Sequence, residues 1–313
     1  MSKILITGGA GFIGSNIVKV LLEEGHEVTV IDNLITGKKD NLKPFLDKLK
    51  FIEGSILEEA KINEAMEGVE YVLHQAALPS VPRSLEQPLA SLENNLSITL
   101  KILLKSVEFK VKRLVYASSS SIYGNQESEK KSEDLRPLPV SPYAVYKNAG
   151  EQLCQIYSKI HGLAAVCLRY FNVFGPNQDP DSPYSAVVPL FIKKMLNGER
   201  PVINGDGNNA RDFTFVENNV KANILALKSD KVGQGEIINI ACGQSISLNQ
   251  LVEEINACLN TEIKPIYGPK RPGDIKHSLA DISRAKKLLD YSPEVDFKTG
   301  IKQTVDYFIK KNA

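Results

Sequence analysis

Short aliphatic runs alternate with longer amphipathic stretches through the first half of the chain. Lys3 to Thr7 (KILIT) lacks polar alternation and ends in glycines, which predicts a strand buried on both faces. A helix is expected from about Phe12 to Glu24, closed by Gly25. EVTVID (Glu27 to Asp32), FIEGSI around Phe51, YVLHQAA, RLVYASSSS and AAVCLRYFNVFG from Ala164 read as five further strands. Helices fall between them, near Glu58 to Met66, from Ser91 to Glu108, and over the stretch carrying Tyr143 and Lys147. Repeated βα units predict an α/β fold, a doubly wound parallel sheet with ligands at the carboxyl ends of its strands. The second half is less regular, with many Pro, Asn, Asp and Gly residues between Pro176 and Arg211. The expected division is a nucleotide-binding domain over 1–171 with a returning segment at about 213–240. Residues 172–212 and 241–313 would form a smaller α/β domain across the mouth of the sheet.

Composition narrows the partners. The 313 residues are 42% hydrophobic and 24% charged, with a net charge of +1. That balance gives no electrostatic case for nucleic acid or a membrane surface. No run approaches the roughly 18 apolar residues of a membrane span, so a soluble cytoplasmic protein is expected. Cys154, Cys167, Cys242 and Cys258 form no CxxC pair and read as reduced thiols. His26, His74, His161 and His277 have no metal-ligand spacing, and no metal site is expected.

After the first strand, Gly8, Gly11 and Gly14 are spaced GxxGxxG, a variant of the dinucleotide fingerprint. Such glycines allow a tight turn, a close approach to a pyrophosphate and close helix–strand packing. The helix N-terminus that follows favours an anion. Asp32, at the end of the second strand, can bind ribose hydroxyls and would repel a 2′-phosphate, which favours NAD over NADP.

The stretch SPYAVYK sets Tyr143 four residues before Lys147, with Pro142 as a helix opener, so both lie on one face. A free phenol has a pKa near 10. A nearby ammonium lowers it, and the phenol can then exchange a proton with an alcohol. The run Ser118 to Ser121 ends the fifth strand and offers hydroxyls to the same alcohol.

TGGAGFIGS, IDNL, SSSSIYG, SPYAVYK, RYFNVFGP and ARDF together resemble the extended short-chain dehydrogenase/reductases over essentially the whole chain. Within them the chain is most similar to the UDP-hexose 4-epimerases. DPDSPYSAVVP, INGDGNNARDF and RPGDIKHSLAD resemble the branch acting on UDP-N-acetylglucosamine. The resemblance implies that Tyr143, as phenolate, takes the 4-hydroxyl proton while the C4 hydride passes to NAD. The 4-keto sugar then turns in the pocket and is reduced from its other face. Lys147 would depress the tyrosine pKa and hold the nicotinamide ribose. Ser119 would be the catalytic serine, with Ser120 close enough to share the role.

Cofactor contacts carried over from the family are Gly8, Gly11, Phe12, Ile13 and Gly14 at the pyrophosphate, and Asp32, Asn33, Leu34, Thr36 and Gly37 at the adenosine ribose. Gln75, Ala76 and Ala77 follow the fourth strand. Asn94 (with Asn95 as neighbour) and Tyr170 complete the set. The family's Asp-Ile under the adenine is here Ser55-Ile56, which removes a carboxylate from that edge. On the substrate side, Pro79 and Ser80 would sit near the sugar, and Asn172 at the diphosphate. Ala186, Val187, Phe191 and Asn204 would lie on the uridine side. Arg211 and Arg271 would neutralise the diphosphate. Ser278 would face the C2 substituent, where tyrosine excludes an N-acetyl group. These matches imply activity on UDP-GlcNAc/UDP-GalNAc, with UDP-glucose/UDP-galactose also used.

Rival readings are a UDP-glucuronate 4-epimerase or decarboxylase, with Arg83 as a carboxylate contact, and a non-catalytic NAD-binding regulator. The family's dehydratases place Asp-Glu before the YG, where this chain has Ser-Ile. Family resemblance also implies a homodimer through a four-helix bundle of Leu92 to Glu108 and Ala144 to His161. Leu96, Leu100, Leu103 and Leu104 recur at near-helical spacing, as a buried stripe that serves either that bundle or the intrachain core.

Overall fold

The computed structural model describes residues 1–126, 128–269 and 277–312. Seven parallel strands form the central sheet. They are β1 (Lys3–Thr7), β2 (Glu27–Asp32), β3 (Lys50–Glu53), β4 (Tyr71–His74), β5 (Arg113–Ser119), β6 (Ala165–Tyr170) and a last strand, Gln234–Ile240. The order is last strand-β6-β5-β4-β1-β2-β3, with the reversal between β1 and β4. That reversal is where open α/β sheets form their ligand crevice.

The unbroken apolar runs follow from burial on both faces. Ile4, Ile6, Val115, Ala117, Val166 and Leu168 join one core cluster. The residues between them, Leu5, Leu114, Tyr116, Ala165 and Cys167, join another. Successive side chains of a strand point to opposite faces, so neither set could be polar. The first face is covered by α1 (Phe12–Glu23) and the Val216–Lys228 helix. On the second face pack α2 (Glu59–Met66), α5 (Ile98–Glu108) and α6 (Pro142–His161); the short helices α3 (Val81–Glu86) and α4 (Pro88–Leu92) precede α5.

Two elements depart from the expected pattern. The helix expected from Ser91 to Glu108 is interrupted by a π-helical segment, Glu93–Ser97. The buried Asn95 amide donates to the carbonyls of Ser91 and Leu78, which competes with the regular ladder. The sixth strand stops at Tyr170 because Asn172 turns left-handed, with φ 35°. Val173–Phe174 then pairs with Thr214–Phe215, away from the main sheet.

The leucine stripe divides. Ile98, Ile102 and Leu103 face the intrachain core. Leu100 and Leu104 are 39% and 50% exposed, because they project from the opposite side of α5. The four cysteines are free. Among the described residues no helix is long and apolar enough to cross a membrane, and no group of His, Cys, Asp or Glu could hold a metal ion.

Candidate active site

A cleft of about 880 Å³ opens at the carboxyl ends of the strands. One wall is the glycine turn. Gly8 has φ 68°, and a Cβ there would lie 2.7 Å from Ala76 Cα. A Cβ on Gly14 would lie 2.2 Å from the Gly8 carbonyl oxygen. The turn therefore packs backbone to backbone: the N–H groups of Gly8, Ala10 and Gly11 are bonded to Ile31, Asp32 and Gly8, and the first turn of α1 faces the cleft. Phe12 and Ile13 line it as well.

Asp32 closes β2. Its carboxylate accepts from the N–H groups of Ala10 and Leu34, both at 2.9 Å. Burial nevertheless raises its pKa. Asn33, Leu34, Thr36 and Gly37 line the same end, with Ser55 and Ile56 opposite. Where a carboxylate was lacking, Glu58 Oε1 accepts from the Ser55 N–H at 2.6 Å.

Helix α6 places the phenol and the ammonium. The Ser141 hydroxyl accepts from the Ala144 N–H as N-cap, Pro142 opens the first turn, and Gly162 ends the helix with φ 68°. Lys147 is 2% exposed and donates to the Ala117 carbonyl at 2.8 Å. Its Nζ lies 5.0 Å from the Tyr116 ring centre and 5.9 Å from that of Tyr143. Burial pushes its pKa down to about 7. Burial also pushes the Tyr143 phenol up to about 12, opposed by its hydrogen bond with Ser119. Burial and Ser119 are thus the groups that set the phenol, while the Lys147 ammonium bonds the Ala117 carbonyl.

Behind these groups lies a buried ion pair that the motif reading missed. Arg169 Nε and Nη2 donate to the two oxygens of Glu151, each at 2.8 Å. Ser118 donates to the same carboxylate at 2.6 Å. The signal was present in outline, since Glu151 falls one turn after Lys147 on the same helix face. Tyr170 is likewise held by Asn223, which the sequence reading did not single out. Its hydroxyl donates to Asn223 Oδ1 at 3.0 Å, beside the Gln75 amide.

The remaining predicted residues fall into two sets. Gln75, Ala76, Ala77, Pro79, Ser80, Asn94, Ser119, Tyr143, Lys147, Tyr170, Asn172 and Ala186 line the cleft. Ser120, Val187, Phe191, Asn204, Arg211 and Ser278 are not among the residues that line it. Ser120 lies in the helical turn after β5. Phe191 is 2% exposed, because the Val187–Leu196 helix turns it into the core. Asn204 pairs in a small sheet with Gly268. Arg271 lies outside the described residues.

Ser278 and Arg211 are paired on adjacent short strands. Asp212 joins this pair to the cleft. Its N–H donates to the Ser278 carbonyl at 2.9 Å, and its own carbonyl accepts from Asn172 Nδ2 at 3.1 Å. The buried Asp212 carboxylate accepts from the N–H groups of Cys242, Gly243 and Ala280, and burial raises its pKa to about 6.

This architecture recurs in known proteins. A UDP-N-acetylglucosamine 4-epimerase from Methanobrevibacter ruminantium M1, solved in complex with UDP-N-acetylmuramic acid, is 42% identical, with 99% of each chain covered and a TM-score of 0.94. The UDP-glucose 4-epimerase of Thermotoga maritima, solved with UDP-glucose, is 37% identical over 99% of this chain and 100% of that one, also at TM-score 0.94. The UDP-glucuronate 4-epimerase of Thermodesulfobacterium geofontis is 37% identical over 98% of this chain and 96% of its own. The profile of the NAD dependent epimerase/dehydratase family matches residues 4–241, and the chain belongs to that family.

Proposed function

We propose that the protein is a UDP-hexose 4-epimerase that interconverts UDP-GlcNAc and UDP-GalNAc and also accepts UDP-glucose and UDP-galactose. The observation that carries this reading is Ser119, Tyr143 and Lys147 lining the same cleft as the glycine turn. NAD fits that cleft: Gly8 and Gly14 leave no space for a Cβ, so backbone meets the pyrophosphate. Asp32, at the carboxyl end of β2, is an acceptor for ribose hydroxyls. Bound NAD supplies a hydride acceptor and donor that no side chain provides.

Tyr143 takes and returns the proton of the 4-hydroxyl. Ser119 holds that hydroxyl and the phenol together. Lys147 anchors the nicotinamide ribose and adds positive charge beside the ring. Gly11, Phe12 and Ile13 would hold the pyrophosphate, Asn94 and Tyr170 the nicotinamide side, and Asn172 the diphosphate; all line the cleft. Arg211 and Arg271 would supply cationic partners for the diphosphate and Ser278 the room for an N-acetyl group; Arg211 and Ser278 reach the cleft wall through Asp212 and Asn172 and do not line it themselves. Residues 172–212 and 241–313 form the sugar-nucleotide half. The exposed Leu89, Leu100 and Leu104, with Val145, Ile156 and Ile160 of α6, supply an apolar surface for a homodimer.

One observation favours a second substrate class. The Arg83 guanidinium lines the cleft and stacks over the Tyr184 ring, 4.4 Å from its centre. It could receive a sugar carboxylate, as a UDP-glucuronate 4-epimerase requires.

Incubating the purified protein with each UDP-sugar separately, without added NAD, and resolving the C4 epimers tests the assignment. Conversion of UDP-GlcNAc to UDP-GalNAc is expected. NAD binding with no interconversion of any UDP-sugar would leave a regulatory protein instead.

A further inference from the structure

The turn after β4, residues 75–80, forms one side of the cofactor cleft, and Asn94 forms another. Beneath them a buried chain of hydrogen bonds runs from one to the other. The Ala76 N–H donates to Thr7 Oγ1 at 3.1 Å. Thr7 Oγ1 lies 2.7 Å from His74 Nδ1, and His74 Nε2 lies 3.0 Å from Thr99 Oγ1. The Thr99 hydroxyl donates to the Asn95 carbonyl at 2.5 Å. Thr7 and His74 are fully buried and Thr99 is 1% exposed.

The direction of every donor follows from the last link. A carbonyl only accepts, so Thr99 spends its single proton on Asn95 and must accept from His74. Nε2 therefore carries the imidazole hydrogen, and Nδ1 of the neutral ring accepts from Thr7. The Thr7 oxygen still has a lone pair for the Ala76 N–H. A second link runs parallel: the Leu78 N–H donates to the Asn94 carbonyl, and Asn95 Nδ2 donates to the Leu78 carbonyl, both at 3.2 Å.

We propose that His74 is a positioning residue: as the Nε2–H tautomer it ties the turn at Ala76–Leu78 to Asn94–Asn95 and sets the width of the cleft between them. Protonation would turn Nδ1 into a donor facing Thr7 and strand the threonine proton. The surroundings oppose that charge. Burial and the neighbouring Lys147 ammonium push the His74 pKa down to about 3, and the Tyr116 ring stacks on the imidazole at 5.8 Å. The role rests on reading this cleft as the NAD site, but the hydrogen-bond chain can be read without turnover of any sugar.

Two measurements on the holoenzyme test it. With ¹⁵N-labelled histidine, the His74 ring should show a neutral Nε2–H signature throughout the range in which free histidine titrates. An Nδ1–H or charged ring overturns the proposal. Thr99→Val removes the hydroxyl at the far end of the chain, both the acceptor for His74 and the donor to the Asn95 carbonyl. It should raise hydrogen exchange at the Ala76 amide about fivefold, the worth of one net hydrogen bond, and speed release of bound NADH by a similar factor. Exchange in β5 should not change. Thr99→Ser should restore both values. Unchanged exchange at Ala76 in Thr99→Val, or failure of the serine to rescue, overturns the role of the chain.

Discussion

Arg169 and Glu151 form a two-pronged ion pair, each side chain 1% exposed, that fastens α6 to β6 beneath Tyr143 and Lys147. Because Ser118 donates to the same carboxylate, β5 is held as well. Glu151→Gln leaves a buried guanidinium without its counter-charge and should cost about 3–5 kcal/mol of stability. Denaturant unfolding of the variant checks this, with the midpoint falling at an unchanged slope.

Ser119 is the group that opposes the burial of Tyr143. The base form of the phenol gains as pH rises, so kcat/KM should climb with pH on its lower limb. Ser119→Ala removes an interaction that lowers the phenol pKa and should move that limb to higher pH. Tyr143→Phe should lose at least about a hundredfold in turnover while retaining NAD. Undiminished epimerisation in that variant contradicts the assignment of the base.

Lys147 carries a stability penalty tied to its function. Its pKa falls from 10.5 in the free group to about 7 in the folded protein. Between those values the unfolded chain binds a proton that the folded chain does not. The group's contribution to stability is therefore greatest above the free value, is lost as pH falls toward 7, and is lowest below it. Lys147→Met should abolish activity yet gain roughly 1–4 kcal/mol at neutral pH relative to the native chain. The gain should shrink as pH is raised toward 10.5, which thermal melts across that range would show.

Ser278→Tyr fills the space assigned to the N-acetyl group. Turnover of UDP-GlcNAc should fall by about tenfold or more while UDP-glucose is still converted. Full activity on both acetylated sugars would remove Ser278 from the pocket.

The apolar surface of α5 and α6 gives the assembly a simple test. Leu104→Glu with Ile160→Glu changes two residues that are 50% and 68% exposed. Light scattering should report a dimer for the native chain and a monomer for the variant. A native monomer would reassign this face.

What the sequence disclosed depended on range. Strands such as KILIT were legible because both faces are buried, so local hydrophobicity suffices. The glycine turn and the Tyr143–Lys147 spacing were legible because each lies within one turn or one helix. The Arg169–Glu151 pair joins two elements and could not be read from spacing. The same holds for Tyr170 with Asn223, and for the buried side chain of Asn95 that widens its helix. Phe191 shows the opposite limit: the motif placed it beside the nucleotide, whereas its helix turns it into the core.

The last strand of the central sheet, Gln234–Ile240, enters beside β6 only after the chain has passed through the segment containing Arg211. Arg113, at the start of β5, is clamped by the carbonyls of Ala226, Leu227, Ser229 and Val232 from that returning stretch. On the ribosome, β6 must therefore wait as a bare edge until some seventy further residues have emerged, counting from Tyr170 to Ile240. The sheet is thus finished by its most distant strand, and a chain cut anywhere between β6 and Gln234 would leave β6 without its outer neighbour.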